Sequence, residues 1–544
     1  MSNQPKTYIL SGGEDYVTPP LQIPEGMCRE ATNYEQNYET GYSRINGYRK
    51  LVNADITGSG PIRGIVVYDD SIYVFRDDLS GTTCKMWKAT PAEYRIGSQA
   101  SGDAESLWGK NIVVDNGSWT EITDIVDASD VATTLTAGGY YEFVIHNFKA
   151  TGASTTTTPA GSHDVSGSSG YLYGVDGKNP AWFFNGTQLK LIDSTYTPDV
   201  PQHIAANANH LVLGFRAGEI AVSAVGDPTE FSTGASSYGV TDYLTGMSAT
   251  ADGALIVFTR DKTYILYNMA DPNSVILKKH SKTVGAYPYT IQALAGTTMF
   301  YDNWGLTDIQ SSNKFGDIIT SSLSAKIQTQ LTSRQPQTSV ILKSKSQYRL
   351  YTTAVNGVET DCMIGTLIQG KSLGFTHASY PFVVACAESG FINLTEYSLT
   401  GSSTGTVYHM DVGNSFDGAA YLSRLKLPFN FIGTPAYEKQ FKKMVLNVGT
   451  DEAASLNFAI TYNSGRVGEP RFSDSTSVTP EGPEWGEDIW GSFYWGAGES
   501  GYLEKHLKGH AKNLSITFTN TSASEAPHTL RDISFIYELR RIEH

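Results

Sequence analysis

The chain has 544 residues, 40% of them hydrophobic and 17% charged, and a net charge of −15. It is too apolar for wholesale disorder, too long for one ordinary domain, and too acidic to be expected to grip nucleic-acid phosphates through clustered cations. Its 53 Gly and 21 Pro cut up a sequence rich in Tyr (32) and Phe (22), which is the composition of many short strands joined by tight turns.

Residues 1–60 carry Pro19-Pro20 and many loop formers, so an extended arm lying across other elements is expected. The opening MSNQPKTYILSGGEDY has no cationic stretch leading into an apolar core, and no signal peptide is expected. Nor does any apolar run approach the roughly 18 residues of a membrane helix; membrane insertion is not expected. Strand–turn–strand units follow, the first with Gly64-Ile65-Val66-Val67-Tyr68 turning through Asp69-Asp70-Ser71 into Ile72-Tyr73-Val74-Phe75. Further strands are read at 111–114, 171–173 and 181–184. Residues 151–170, TGASTTTTPAGSHDVSGSSG, are nearly free of apolar side chains and predict a long exposed loop.

The clearest repeat comes next. Leu211, Leu255 and Met299 each sit in a short apolar strand and are spaced by 44 residues. Each strand passes through a polar or Gly-containing turn into a second strand. A period of about 40–45 residues built from such units is that of a β-propeller, whose blades cannot bury their apolar faces alone and stack around an axis. About six or seven blades are expected over 61–430, none with a WD-type signature. Asn356-Gly357 predicts a type I′ hairpin turn. Leu323, Ile327 and Leu331 recur at helical spacing and predict one short helix within 318–331. From 431 to 544 the segments 440–448, 455–462, 513–518 and 533–537 alternate apolar and polar residues, predicting half-buried antiparallel sheet. The expected fold is all-β: a β-propeller, with a β-sandwich-like platform domain formed by the C-terminal region and the N-terminal arm.

Chemistry-bearing motifs are sparse. Cys28, Cys84, Cys362 and Cys386 are scattered with no CxxC pair, which suits a reducing cytosol and argues against a disulfide framework or a zinc site. His506 and His510 are four apart, but Gly509 speaks against a helix presenting both to one metal. Gly167-Ser168-Ser169-Gly170 is not a GxSxG nucleophile elbow, and no GxxxxGK[ST] loop is present. Asp115-Asn116-Gly117-Ser118 starts like a calcium loop but lacks the later ligands, and reads as a turn. Carboxylate pairs assembled from separate blades, as in propeller glycosidases, leave no mark in a sequence. No catalytic, cofactor-binding or metal residue is expected. Trp485, Trp490 and Trp495 repeat every five residues, each followed by Gly. They are candidate subunit-contact aromatics, with sugar binding or packing on the C-terminal sheet as the other readings.

The run Leu10-Ser11-Gly12-Gly13-Glu14-Asp15-Tyr16-Val17-Thr18-Pro19-Pro20 is followed by Ile23-Pro24-Glu25-Gly26-Met27, Ala31-Thr32-Asn33-Tyr34-Glu35 and Gly41-Tyr42-Ser43-Arg44-Ile45-Asn46-Gly47-Tyr48. This opening resembles that of the tail nozzle and packaged-DNA stabilisation proteins of short-tailed bacteriophages. Gly226-Asp227-Pro228-Thr229 with Asp252-Gly253-Ala254-Leu255-Ile256-Val257-Phe258, and the repeated Trp-Gly pairs followed by Gly509-His510 and Arg540-Arg541, are similar to later regions of the same proteins. The resemblance implies a virion protein assembled in the host cytoplasm. It further implies a homo-oligomeric, six-membered ring at the distal end of the tail, which continues the DNA channel, retains packaged DNA and gates its ejection. Implied partners are tail adaptor or connector proteins, tail fibres or spikes, and translocating DNA in transient non-specific contact. The alternatives are a carbohydrate-binding propeller used in host attachment and a propeller glycosidase.

Overall fold

The computed structural model describes residues 4–37, 41–96, 111–148, 170–231, 237–250, 253–270, 274–294, 296–309, 322–331, 334–354, 356–368, 372–450, 454–465, 471–478 and 501–540. The exposed loop expected at 151–170, all but its last residue, and the tryptophans Trp485, Trp490 and Trp495 lie outside the described residues.

Among the described residues, seven mainly antiparallel sheets of three or more strands follow one another through the propeller, six of them with four or more strands and one with three, beside a small two-stranded ladder of Glu93–Ile96 and Asn111–Asp115. Blade 1 comprises Ser59–Tyr68, Ser71–Asp77, Thr83–Thr90 and Ser118–Ile122. Blade 2 comprises Glu142–His146, Tyr171–Val175, Trp182–Phe184 and Leu189–Leu191. Blade 3 runs from His203–Asn207 to Ser237–Gly239, and blade 4 from Leu244–Ala249 to Ile276–Ser281. The narrow blade 5 holds Gln292–Leu294, Thr297–Asp302 and Gly305–Asp308. Blade 6 runs from Gln335–Leu342 to Ser372–Tyr380. Blade 7 joins Val384–Ile392, Thr395–Ser402 and Val407–Met410 to the distant Tyr48–Lys50.

The first strand of each blade is innermost. Blade 7 packs back on blade 1 through these inner strands, which closes the propeller. Leu211, Leu255 and Met299 fall in the second strands of blades 3, 4 and 5. The strands His210–Gly214 and Leu255–Thr259 are buried along their whole length because neighbouring blades cover both faces, and so they read as continuous apolar runs rather than alternating ones. Between blades 1 and 2 the aromatic rings pack tightly. Phe75 stacks on Tyr141 at 4.1 Å between centroids, and a Cβ on Gly174 would lie 2.1 Å from the Trp182 ring, so only glycine fits there.

The platform is a two-sheet sandwich. One sheet contains Tyr34–Gln36, Tyr42–Arg44, His528–Leu539, Lys439–Thr450 and Gly501–His506, with Gln4–Ile9 added against His528–Leu539. The other orders Glu30–Thr32, Tyr421–Lys426, Leu514–Ser522, Ala454–Tyr462 and Arg471–Val478. The core between them draws Met444, Leu446, Phe535 and Ile533 from the first sheet and Phe458, Ile460, Ile516 and Phe518 from the second. Glu30–Thr32 also pairs with the outer strand of blade 6 at Thr32 and His377, so a nine-stranded sheet runs from propeller into platform.

Two local expectations are modified. The helix is confined, among the described residues, to a 3₁₀ turn at Ala325–Ile327 and the single α turn Gln328–Leu331, with Ile327 and Leu331 packed against blades 5 and 6. At Asn356-Gly357 only the glycine has positive φ (72°). The Asn356 side chain accepts from the Val358 and Glu359 N–H groups, so the connection is a wider loop rather than a two-residue I′ turn. Turns with two consecutive positive-φ residues occur instead at Asp69-Asp70, Ala208-Asn209 and Asn393-Leu394, which join the first and second strands of blades 1, 3 and 7.

Candidate functional site

The propeller axis holds a polar cavity of about 320 Å³, lined by or beside the inner strands of all seven blades. Its walls come from Gly64 of blade 1, Glu142 of blade 2, Ile204 of blade 3, Gly246 of blade 4, Gln292 of blade 5, Ser339 of blade 6 and Glu388 of blade 7. Small residues at Gly64 and Gly246 let neighbouring side chains close in; a Cβ on Gly246 would stand 2.3 Å from Ile291. Across the axis, the rings of Tyr140 and Tyr289 meet at 3.7 Å between centroids. These two tyrosines precede the inner strands of blades 2 and 5, which are not neighbours, so their contact bridges the axis.

Two carboxylates reach the cavity. Glu142 pairs with the fully buried His203 at 2.9 Å. Glu388 is half-buried but walled in on the axis. Burial raises its carboxyl to about 7, against partial relief from the Ser389 N–H and the Lys343 charge. It also borders a second cavity of about 620 Å³, with Asp69, Asp70 and Lys343 at the rim. One carboxylate thus has a histidine partner, while burial lifts the other towards neutrality.

The joint between propeller and platform is the other polar centre. Glu14 is buried, 2.7 Å from His377 Nδ1, and accepts from the Ala31 N–H. Burial alone would lower the His377 pKa, but the Glu14 carboxylate overrides it and the value rises. Gly13, at φ +77°, presses its backbone on that of Phe375 in blade 6, and Tyr42 hydroxyl links to Gly13 and Gly26. Beside it, Arg349 (1% exposed) and Lys345 face Glu35 and Asp411. Burial would raise the Asp411 carboxyl, yet the Arg349 and Lys345 charges hold it at about 2. Two cations and two anions thus meet at the joint and balance in charge. Deeper in the platform, buried Arg44 donates to Ser423 Oγ and to the carbonyls of Glu525 and Ser522, under the Tyr421 ring.

Trp485, Trp490 and Trp495 lie outside the described residues. His506 and His510 fall on separate strands, opposite Lys443 and Gln440. Among the described residues no group of three or more His, Cys, Asp or Glu is arranged to hold a metal. All four cysteines are buried thiols. Sequence reasoning missed Glu142, Glu388 and the Tyr140–Tyr289 pair. Each lies in or just before an unremarkable strand, and only ring closure brings them together.

The closed ring of radial sheets defines the class: a β-propeller bearing a sandwich platform. No family model matches the chain, and no curated protein matches it. Similar solved structures include the WD40 repeats of RRP9, at 9% identity over 68% of this chain and 99% of that one, with a TM-score of 0.37. YCF48 bound to D1 peptide is similar at 11% identity over 67% and 97%, with a TM-score of 0.37. YCF48 from Cyanidioschyzon merolae is similar at 8% identity over 67% and 98%, again with a TM-score of 0.37. These likenesses say nothing of activity or partners, and the propeller assignment rests on this chain's own strand order.

Proposed function

We propose that the protein is a structural subunit of a short bacteriophage tail, forming the distal nozzle or hub ring that retains packaged DNA and gates its ejection. It acts by assembly rather than catalysis, and its partners are copies of itself, the tail adaptor and fibres or spikes. The observation that carries the reading is where the nozzle-like N-terminal run lies. Gly13, Glu14 and Glu35 reach Phe375, His377 and Arg349 of blade 6, while Tyr42 and Arg44 tie the same run to the arm and the platform. A run spent on welding two domains into one body suits a part that transmits force between ring and tail.

The lumen of such a ring lies between subunits. The propeller axis is bridged by Tyr140 and Tyr289, and its cavity of about 320 Å³ cannot pass a duplex whose major groove alone is about 12 Å wide. A heterologous contact repeated around a closed rotation makes the channel instead, and the chain's charge of −15 keeps its walls from binding phosphates. Negative-stain microscopy of the protein bound to its tail adaptor tests this. A ring with one central hole and propellers around it supports the reading, and its absence on adaptor-bound tails refutes it.

One observation favours a second reading, a propeller glycosidase: Glu142 and Glu388 come from separate blades into one cavity, and burial lifts Glu388 to about 7, as a general acid requires. Oligosaccharide turnover that disappears in Glu388→Gln would establish it.

A further inference from the structure

On the face of the propeller formed by the turns between second and third strands, blades 3 to 5 carry two arginines and a row of exposed aromatic rings. Arg216 occupies that turn in blade 3 and Arg260 the same turn in blade 4, between the strands Leu255–Thr259 and Thr263–Tyr267. Both guanidinium groups stand over the ring of Tyr243, at 5.8 and 5.7 Å. The strip continues through Gly285, which packs against the Arg260 carbonyl, to Tyr287. The Tyr287 hydroxyl donates to Asn303 Oδ1 at 3.1 Å, and Trp304 follows in the equivalent turn of blade 5. Tyr243, Tyr287 and Trp304 are 53%, 37% and 57% exposed.

Among the described residues neither Arg216 nor Arg260 makes an ion pair; Asp242 beside them accepts the Tyr243 N–H instead. Both guanidinium groups are exposed beside the Tyr243 ring, with donor forks free to turn to an anion. The exposed indole of Trp304 and the Tyr287 ring offer flat apolar faces next to those forks. The strip therefore presents an anion clamp with an aromatic shelf beside it.

We propose that this strip binds an anionic polysaccharide, with a uronate carboxylate between Arg216 and Arg260 and a sugar ring on Trp304. The same groups would suit a nucleic acid locally, but the net charge of −15 decides between the two. Duplex DNA carries one charge per roughly 1.7 Å, whereas a uronic-acid polymer carries one per sugar or per disaccharide. An acidic body repels the denser polyanion far more than the sparser one. The strand pairing that joins platform to propeller is on blade 6, whereas the strip lies on blades 3 to 5 and its exposed side chains are open to an external partner. This inference stands whether or not the protein forms a ring.

The test is binding of the full chain to oligogalacturonate and hyaluronan oligosaccharides at physiological salt, with neutral dextran and an oligo-dT strand alongside. Binding of the uronates is expected, with affinity falling about tenfold or more in Arg216→Ala/Arg260→Ala and in Trp304→Ala, while melting temperatures stay unchanged because all three side chains are exposed. The proposal is overturned if the parent chain binds neither uronate, if both variants bind them as well as the parent, or if oligo-dT binds more tightly than the uronates in a strip-dependent way.

Discussion

At the scale of single residues, burial sets several protonation states and so the response to pH. His528 lies in the platform core with Nε2 on the Tyr34 hydroxyl. Burial, and then the nearby Arg44 charge, lower its pKa from 6.5 to about 3. The unfolded chain therefore takes up a proton between those two values that the folded chain refuses, and stability falls as pH drops through that window. His409, lowered to about 4, adds to the loss. His377, raised by Glu14, opposes it; its contribution is complete at low pH and fades as pH rises through its folded value. His528→Gln keeps an acceptor for Tyr34 and removes the titration. Between pH 6.5 and 4.5 the variant should lose about 2.5 kcal/mol less than the parent in urea titrations. Equal losses would show that His528 is not held neutral. Leu394 makes a simpler case: 97% exposed and at φ +66°, it pays a steric cost that glycine does not. Leu394→Gly should stabilise the fold by about 1 kcal/mol, read as a higher unfolding midpoint.

At the scale of elements, blade 7 closes the propeller with a borrowed strand. Tyr48–Lys50 supplies its outer edge, with Arg49 opposite His409 and the Leu51 N–H on the Val407 carbonyl. The alternation of the antiparallel ladder then puts the Arg49 N–H in a hydrogen bond to blade 7. Arg49→Pro should cost about 1–3 kcal/mol, and proteolysis should then cut first near the arm; an unchanged midpoint would mean the borrowed strand does not latch the ring. The joint makes a parallel case. Glu35→Gln leaves Arg349 and Lys345 with a single counter-charge in a buried setting, and a loss of about 3 kcal/mol is expected in the same titration. These non-local pairings explain what the sequence could not disclose. Blades 3, 4 and 5 were legible because their second strands are whole apolar runs joined by connections short enough to keep the 44-residue step. In blade 2, residues 149–169 fall between the first and second strands and hide the period. Nothing local announces that residues 30–32 and 48–50 complete sheets whose other strands lie more than three hundred residues on. The alternation at 455–462 was legible as one half-buried face, and Leu456, Phe458 and Ile460 do point into the sandwich core. Glu142 and Glu388 had no such signal, since a carboxylate in a strand reads as a solvated face until the ring closes around it.

At the scale of the whole molecule, propeller and platform share a sheet, a buried charge network and the N-terminal arm, so they should unfold as one cooperative body and move as one within an assembly. The axis of that body is bridged by two tyrosines, so in the proposed ring the channel for DNA would run between copies. The proposed function requires that copies of this body close into a ring. Native mass spectrometry of the purified protein, alone and with the proposed tail adaptor, decides this. A single closed species at six times the 59.1 kDa subunit mass, alone or on the adaptor, is the expected result. A 59.1 kDa monomer under both conditions would contradict it.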